Sequence, residues 1–212
     1  MLIDWPLLAA ALALLLTPIG LFHGARTRHR ALGSDWSDYW RRTLSHGFHT
    51  IDLLRAALGA WYLAAGVGAT PQATGLAAHA PLLVQGAVLG LGTVLQTFVC
   101  KERHAACAPF AYMAGCALGF LPVETGFFAL LLAIVFALGV RAPALFFPAL
   151  GATTVGVGIV VTGAEINLAG LAAAVVFTAP WLLTLLFPRE LTVAHLARRA
   201  TSERLAAGTE RK

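Results

Sequence analysis

The sequence predicts an all-α protein, a polytopic bundle of about seven transmembrane helices. Hydrophobic residues make up 58% of the 212 residues and charged residues only 12%, whereas a soluble domain carries about 25% charged residues. Apolar runs of roughly 20 residues, the length that crosses a bilayer, recur along the chain. The 15 Lys and Arg residues fall almost entirely in alternate connections between these runs, as expected when basic loops stay in the cytoplasm.

Seven apolar runs are candidate spans: 6–22, 52–68, 81–99, 107–122, 124–140, 142–162 and 167–187. The fourth is short and begins near Pro109. Segment 107–140 therefore forms either two spans or one re-entrant hairpin beside five full spans, and both versions return the chain to the same side. Residues 1–187 are thus predicted to form the bundle, with a basic tail at 188–212.

The distribution of basic residues predicts the orientation. Lys and Arg lie in loop 23–50, in the turns after the third and fifth runs, and in the tail. The N-terminal segment and the connections at 69–80, 122–124 and 163–166 contain none. We therefore expect the inner membrane of a prokaryote, with the N-terminus outside and the C-terminus in the cytoplasm. The first run is expected to be retained, because Asp4 replaces the basic start of a cleavable signal peptide.

Loop 23–50 contains the most regular pattern outside the spans. Apolar residues recur every four positions, at Trp36, Trp40, Leu44 and Phe48. Arg41 and Arg42 fall elsewhere on the same turns. This pattern predicts an amphipathic helix on the cytoplasmic membrane surface, with Trp36, Trp40, Arg41 and Arg42 at the lipid interface and anionic headgroups as partners. A helix that docks a partner protein and a catalytic loop are the alternatives.

Uncharged polar residues fall at depth in the predicted spans, while charges stay near the ends. Gln85, Gln96 and Thr97 lie in the third run and Tyr112 in the fourth. They form either hydrogen bonds between helices or a polar lining for an uncharged solute. Asp52 and Arg55, three residues apart at the start of the second run, are expected to pair on one helix face.

Small residues four positions apart mark candidate helix contacts, because short side chains let two backbones approach closely in a membrane. Three such pairs are Gly86 with Gly90, Gly115 with Gly119, and Ala152 with Gly156.

Histidine and cysteine residues gather on the predicted cytoplasmic side. The segments HGFH and CKERHAAC supply His46, His49, Cys100, His104 and Cys107. Imidazole and thiolate are the ligands that zinc prefers, so zinc or another transition metal is one interpretation. Ordinary polar turns are the other, because the spacing matches no standard zinc finger. We predict no cofactor.

The chain lacks a phosphate-binding glycine loop, a G-x-S-x-G motif and an H-E-x-x-H motif. It also lacks a charge near the middle of a predicted span, where proton-coupled carriers place a carboxylate. These observations favour a non-catalytic accessory or structural subunit of a membrane complex, with protein partners and without nucleic acid. A carrier or binding subunit for an uncharged or lipid-like molecule is the alternative, and a metal-handling or redox membrane protein is a third hypothesis.

Overall fold

The structure is a computed structural model, and it describes residues 1–18, 27–31, 47–71, 74, 76–99, 105–162, 168–187 and 189–196. Most of these residues are helical, as predicted. The difference from an all-α fold lies at the helix ends, where five short strands pair into two small sheets.

Each predicted span coincides with one helix in the described residues. The helices are α1 (Trp5–Leu16), α2 (Gly47–Gly66), α3 (Leu76–Phe98), α4 (Phe110–Phe120), α5 (Val123–Gly139), α6 (Phe146–Thr162) and α7 (Leu168–Leu186). A 3₁₀ turn, Pro143–Leu145, leads directly into α6. Helix α1 ends earlier than the predicted residue 22, because Thr17 precedes Pro18 and takes an extended conformation.

In the part of the chain that the structure describes, three helical segments are long and apolar enough to cross a membrane: Ala78–Phe98, Pro143–Val161 and Leu168–Leu186. Helices α1, α4 and α5 are apolar but shorter than 18 residues. Helix α2 has 20 residues, but it includes Asp52 and Arg55 and is the least apolar of the helices. The lengths therefore establish three candidate spans, and the count of seven crossings stays a prediction.

The distribution of large and small side chains suits a lipid environment. On α5, Phe127, Phe128 and Val135 are exposed, whereas Ala129 and Ala133 are buried. Large apolar side chains are also exposed on α2, α6 and α7. In a bilayer, large side chains can face lipid without cost, while small residues at contacts let helices pack closely.

The helices pack in a chain of neighbours. Helix α2 packs between α1 and α4, α4 also contacts α5, and α6 packs between α5 and α7. Helix α3 lies against α7 and α1. Buried residues of α4, among them Tyr112, Met113 and Cys116, form the middle of the apolar core.

Two small sheets join connections from opposite parts of the sequence. Strand β1 (Leu2–Ile3) pairs antiparallel with β3 (Val67–Gly68). Strand β5 (Glu190–Leu196) lies between β2 (Thr27–Ala31), which is antiparallel to it, and β4 (Ala105–Cys107), which is parallel to it. The segment 190–196, predicted as part of a solvated tail, is therefore a central strand. Its β-branched residues, Thr192 and Val193, are adjacent and favour a strand where two edge partners are available.

Candidate functional site

A buried ion pair is the centre of a polar cluster at one end of the bundle. The Arg55 Nη2 lies 2.6 Å from Asp52 Oδ1, and Nε donates a second hydrogen bond to the same oxygen at 3.2 Å. Asp52 is 5% exposed. The pairing that the three-residue spacing allows is therefore present, with the Asp52 carboxylate buried and the Arg55 side chain 14% exposed.

Arg55 also binds the end of α1. Its Nη1 donates to the backbone carbonyls of Leu14 and Thr17. The last four carbonyls of a helix have no partner within the helix, so they need other donors when the helix end is buried. Helix α1 has no basic residue in its last turn, and Arg55 of α2 supplies these hydrogen bonds instead.

Tyr112 and Gln96 complete the cluster. Gln96 Nε2 donates to the same Thr17 carbonyl at 3.2 Å. The Arg55 guanidinium carbon lies 5.8 Å from the centre of the Tyr112 ring, within the range of a cation–π contact. Four helices thus meet at one charged group.

Gly92 of α3 makes room for the Tyr112 hydroxyl. A Cβ atom at Gly92 would lie 2.1 Å from this oxygen. Tyr112 is fully buried, and among the described residues its hydroxyl interacts with the Cys116 thiol of its own helix but makes no hydrogen bond of good geometry.

The structure does not bring the four predicted binding residues into one site. Gln96 and Tyr112 belong to the polar cluster described above. Gln85, eleven residues before Gln96 and therefore about 16 Å away along α3, donates to the Val67 carbonyl at 2.8 Å. Thr97 donates to the Thr93 carbonyl within its own helix at 2.8 Å. Gln85 thus bonds to strand β3 and Gln96 to the residue that follows α1, whereas the Thr97 bond stays within α3. These contacts resemble hydrogen bonds that hold elements together more than a polar lining for a solute.

The predicted metal ligands are only partly described. His49 lies half-buried in the first turn of α2, and Cys107 Sγ in β4 lies 3.8 Å from the Val99 carbonyl. His46, Cys100 and His104 lie outside the described residues, as do Trp36, Trp40, Arg41 and Arg42 of the predicted interfacial helix. Within the described ranges, no three His, Cys, Asp or Glu residues lie close enough together to hold a metal ion.

A small cavity lies at the opposite end of the bundle, between the first turns of α5 and α7 and the second half of α6. Its volume is about 20 Å³, and Thr125, Thr154 and Gly170 are among its lining residues. The Thr125 hydroxyl is buried and has no partner in the described part of the chain. A cavity needs about 10–15 Å³ to hold one water molecule, so this one fits a water-sized ligand.

Sequence reasoning missed the role of Arg55 as a cap for α1. A signal for it exists, because Arg55 is the only Lys or Arg inside a predicted span. A charged side chain in an apolar segment requires acceptors on neighbouring helices. Which acceptors it uses depends on how α1 and α2 pack, and the sequence does not specify that.

Comparison of the chain with protein-family models, with curated proteins and with solved structures found no match.

Proposed function

We propose that the chain is a multi-pass membrane protein that serves as a non-catalytic, structural or accessory subunit of a membrane complex. The observation that supports this most is the use of its interior polar groups. The amides of Gln85 and Gln96 donate to backbone carbonyls of other elements, and the Thr97 hydroxyl donates within its own helix. The two amides therefore stabilise packing between elements, and the Thr97 hydroxyl is satisfied within its own helix. A solute carrier would need such groups lining a cavity larger than the water-sized one beside Thr125.

The proposal includes seven crossings, with the N-terminus outside and the C-terminus in the cytoplasm of a prokaryotic cell. The basic residues support this orientation, and the two sheets independently support the alternation of connections between two sides. Strands β2, β4 and β5 come from three connections that the sequence assigns to the cytoplasmic side, and β1 and β3 come from two that it assigns to the outside. Among the described residues, one helix separates successive strands from β1 to β4, and four helices separate β4 from β5. This order is consistent with one crossing per helix.

Site-specific labelling tests the orientation. In a variant without Cys100, Cys107 and Cys116, single cysteines replace Thr74 beyond β3 or Thr201 in the tail. A membrane-impermeant maleimide should label T74C in intact cells, and T201C only after the inner membrane is opened. Labelling of T201C in intact cells would contradict the orientation.

Photo-crosslinking tests the subunit role. A photoreactive amino acid replaces Val160, which is 82% exposed on α6. Other exposed positions are Phe128 on α5 and Leu58 on α2, and the buried Ala133 serves as the control. We expect one protein band from at least one exposed face and none from Ala133, and the same protein should co-purify in stoichiometric amount in mild detergent. Crosslinks to lipid alone at every exposed position would refute the proposal.

Elemental analysis distinguishes this proposal from the metal-handling alternative. The protein purified without chelators should contain no zinc, iron or copper in stoichiometric amount. One metal ion per chain, lost on substitution of His46 or Cys107, would replace the proposed function with a metal-handling one.

A further inference from the structure

Thr125 lacks the hydrogen bond that other threonines make within their own helices. Four threonine hydroxyls each donate to the carbonyl four residues earlier: Thr93 to Leu89, Thr97 to Thr93, Thr154 to Leu150 and Thr178 to Ala174. Thr125 is the third residue of α5, so the corresponding residue, Leu121, lies before the helix. Leu121 is extended, with φ −87° and ψ 160°, and therefore does not place its carbonyl where a helical residue would.

The residue that caps α5 also removes the second local partner. A polar side chain at the third position of a helix can bind the backbone N–H of the capping residue. The capping residue of α5 is Pro122, and proline has no N–H. Neither local partner is therefore available to the Thr125 hydroxyl.

Thr125 is nevertheless buried beside a cavity. It is 3% exposed, and its hydroxyl has no partner in the described part of the chain. Thr125 lines the cavity of about 20 Å³ described above, together with Leu121 and Pro122. Buried polar groups in proteins nearly always bind another protein group or an ordered water molecule. An unpartnered hydroxyl at a cavity therefore indicates a ligand in that cavity.

Two helix ends meet at this cavity. The last four carbonyls of α4 and the first N–H groups of α5 have no partners within their own helices. Leu121 is extended and does not turn back to cap α4, and no described side chain caps the start of α5. The site thus offers hydrogen-bond acceptors from one helix and donors from the next.

We propose that the cavity binds one water molecule, which accepts a hydrogen bond from the Thr125 hydroxyl and donates one to the Leu121 carbonyl. Water both donates and accepts, so it serves both helix ends, whereas an anion would serve only donors and a cation only acceptors. The volume admits one water molecule, and the described residues that line the cavity are all uncharged. The water replaces the direct bond from hydroxyl to carbonyl that the other four threonines make.

This site accounts for the buried turn between α4 and α5. Unsatisfied polar groups are costly inside a membrane protein, and here one water satisfies groups on both sides of Pro122. The proposal requires neither seven crossings nor a protein partner, so it can fail while the proposed function stands.

A crystal structure of the protein grown in a lipid mesophase, at a resolution that shows ordered water, tests this site. In wild type, one density peak should lie about 2.5–3.0 Å from both Thr125 Oγ1 and the Leu121 carbonyl oxygen. Thr125→Val keeps the shape of the side chain and removes the donor, so the peak should be lost. Thr125→Ser keeps the hydroxyl and should keep the water. Thr93→Val is the matched control, because Thr93 is fully buried and binds Leu89 within α3, and it should also keep the water.

Three results would overturn the proposal: an empty cavity in wild type, a protein atom in place of the water, or an unchanged peak in Thr125→Val. If Thr125→Val does not fold, the wild type and Thr125→Ser decide.

X-ray radiolysis in mild detergent gives a second measurement without crystals. A bound water molecule generates hydroxyl radicals that oxidise adjacent side chains. Leu121, which is 6% exposed, should be oxidised in wild type and in Thr125→Ser, and Thr125→Val should lose this oxidation. Leu89, which is fully buried in α3, should stay unmodified in all three. Equal oxidation of Leu121 in wild type and Thr125→Val would refute the site.

Discussion

Helices α1, α2 and α4 on one side of the bundle and helices α5, α6 and α7 on the other use the same small-residue pattern differently. Helix α4 carries Gly115 and Gly119, and a Cβ atom at Gly119 would lie 2.0 Å from the Ala57 carbonyl oxygen of α2. Helix α6 carries Ala152 and Gly156 at the same spacing, but no atom of the described residues lies within 4 Å of a Cβ at Gly156. The α2 backbone therefore packs against Gly119 of the first pair, whereas Gly156 of the second pair makes no such contact.

The difference shows that the partner decides whether a small-residue pair is used. Helix α2 presents Ala56 and Ala60, both fully buried, to its neighbours. Small residues on both helices allow the two backbones to approach. Helix α6 approaches α7 with another residue, Gly151, where a Cβ would lie 2.3 Å from the Thr178 hydroxyl. Ala152 and Gly156 consequently face outward.

The first group of helices also contains the buried ion pair, and its loss should have the largest effect. Arg55→Met leaves Asp52 without its partner and removes the donor to the Leu14 and Thr17 carbonyls. Breaking a buried ion pair costs about 3–5 kcal/mol in the free energy of unfolding. Unfolding in mixed micelles, followed by circular dichroism, measures this. The double variant Asp52→Asn/Arg55→Met should recover part of the loss, and a single-variant loss below about 1 kcal/mol would show that the pair does not hold these helices together.

Adding one methyl group to each small-residue pair tests the comparison directly. Gly119→Ala forces α2 and α4 apart, because the atom in its way is backbone, and we expect a loss of about 3 kcal/mol. Gly156→Ala is the matched control and should leave stability unchanged or raise it by up to about 1 kcal/mol, because the added methyl group meets no described atom and alanine favours a helix interior. Equal losses in the two variants would mean that the outward face of α6 is as tightly covered as the α2–α4 contact.

The helices themselves could be predicted from the sequence, because runs of apolar residues bounded by Pro, Gly and charged residues have few other solutions in lipid. All seven predicted runs coincide with helices. The strands could not be predicted. Segments such as 105–107 and 190–196 carry no strong strand pattern, and they pair because helix packing brings their ends together.

The candidate site was predictable in its residues but not in its contacts. The Asp52–Arg55 spacing predicts the ion pair, and Gln96 and Tyr112 were recognised as polar groups at depth. No pattern in the neighbouring sequence indicates that Arg55 donates hydrogen bonds to α1 or that the Tyr112 hydroxyl lies against Gly92. Likewise, the three small-residue pairs have the same spacing in the sequence. The structure is needed to show that Gly119 contacts a neighbouring helix and Gly156 does not. Such contacts depend on which helix faces which, and residues far apart in sequence determine that.

Gly92 of α3, like Gly119, lies against a neighbouring helix, but the atom beside it is the Tyr112 hydroxyl and not backbone. A substitution of Tyr112 can therefore remove that atom. Gly92→Ala places a methyl group against the Tyr112 hydroxyl and should cost about 2 kcal/mol. Tyr112→Phe should cost little or raise stability, because the buried hydroxyl makes no well-formed hydrogen bond with the described residues, and burying such a group is unfavourable by about 1–3 kcal/mol. The double variant Gly92→Ala/Tyr112→Phe should therefore be more stable than Gly92→Ala alone. Purely additive losses would show that another group fills the space beside Gly92.

Thr153 joins α6 to α5 and should show how little the second group of helices depends on polar contacts. Its hydroxyl lies 2.9 Å from the Ala129 carbonyl of α5 and 2.8 Å from the Ala149 carbonyl of its own helix. Because a hydroxyl has one proton, loss of the contact between helices is partly offset by the contact within α6. Thr153→Val should cost about 0.6 kcal/mol, the average for such bonds in membranes. Thr154→Val, which loses only a bond to Leu150 in the same helix, is the control and should cost less. A Thr153→Val loss as large as that of Arg55→Met would mean that polar contacts stabilise both groups of helices equally.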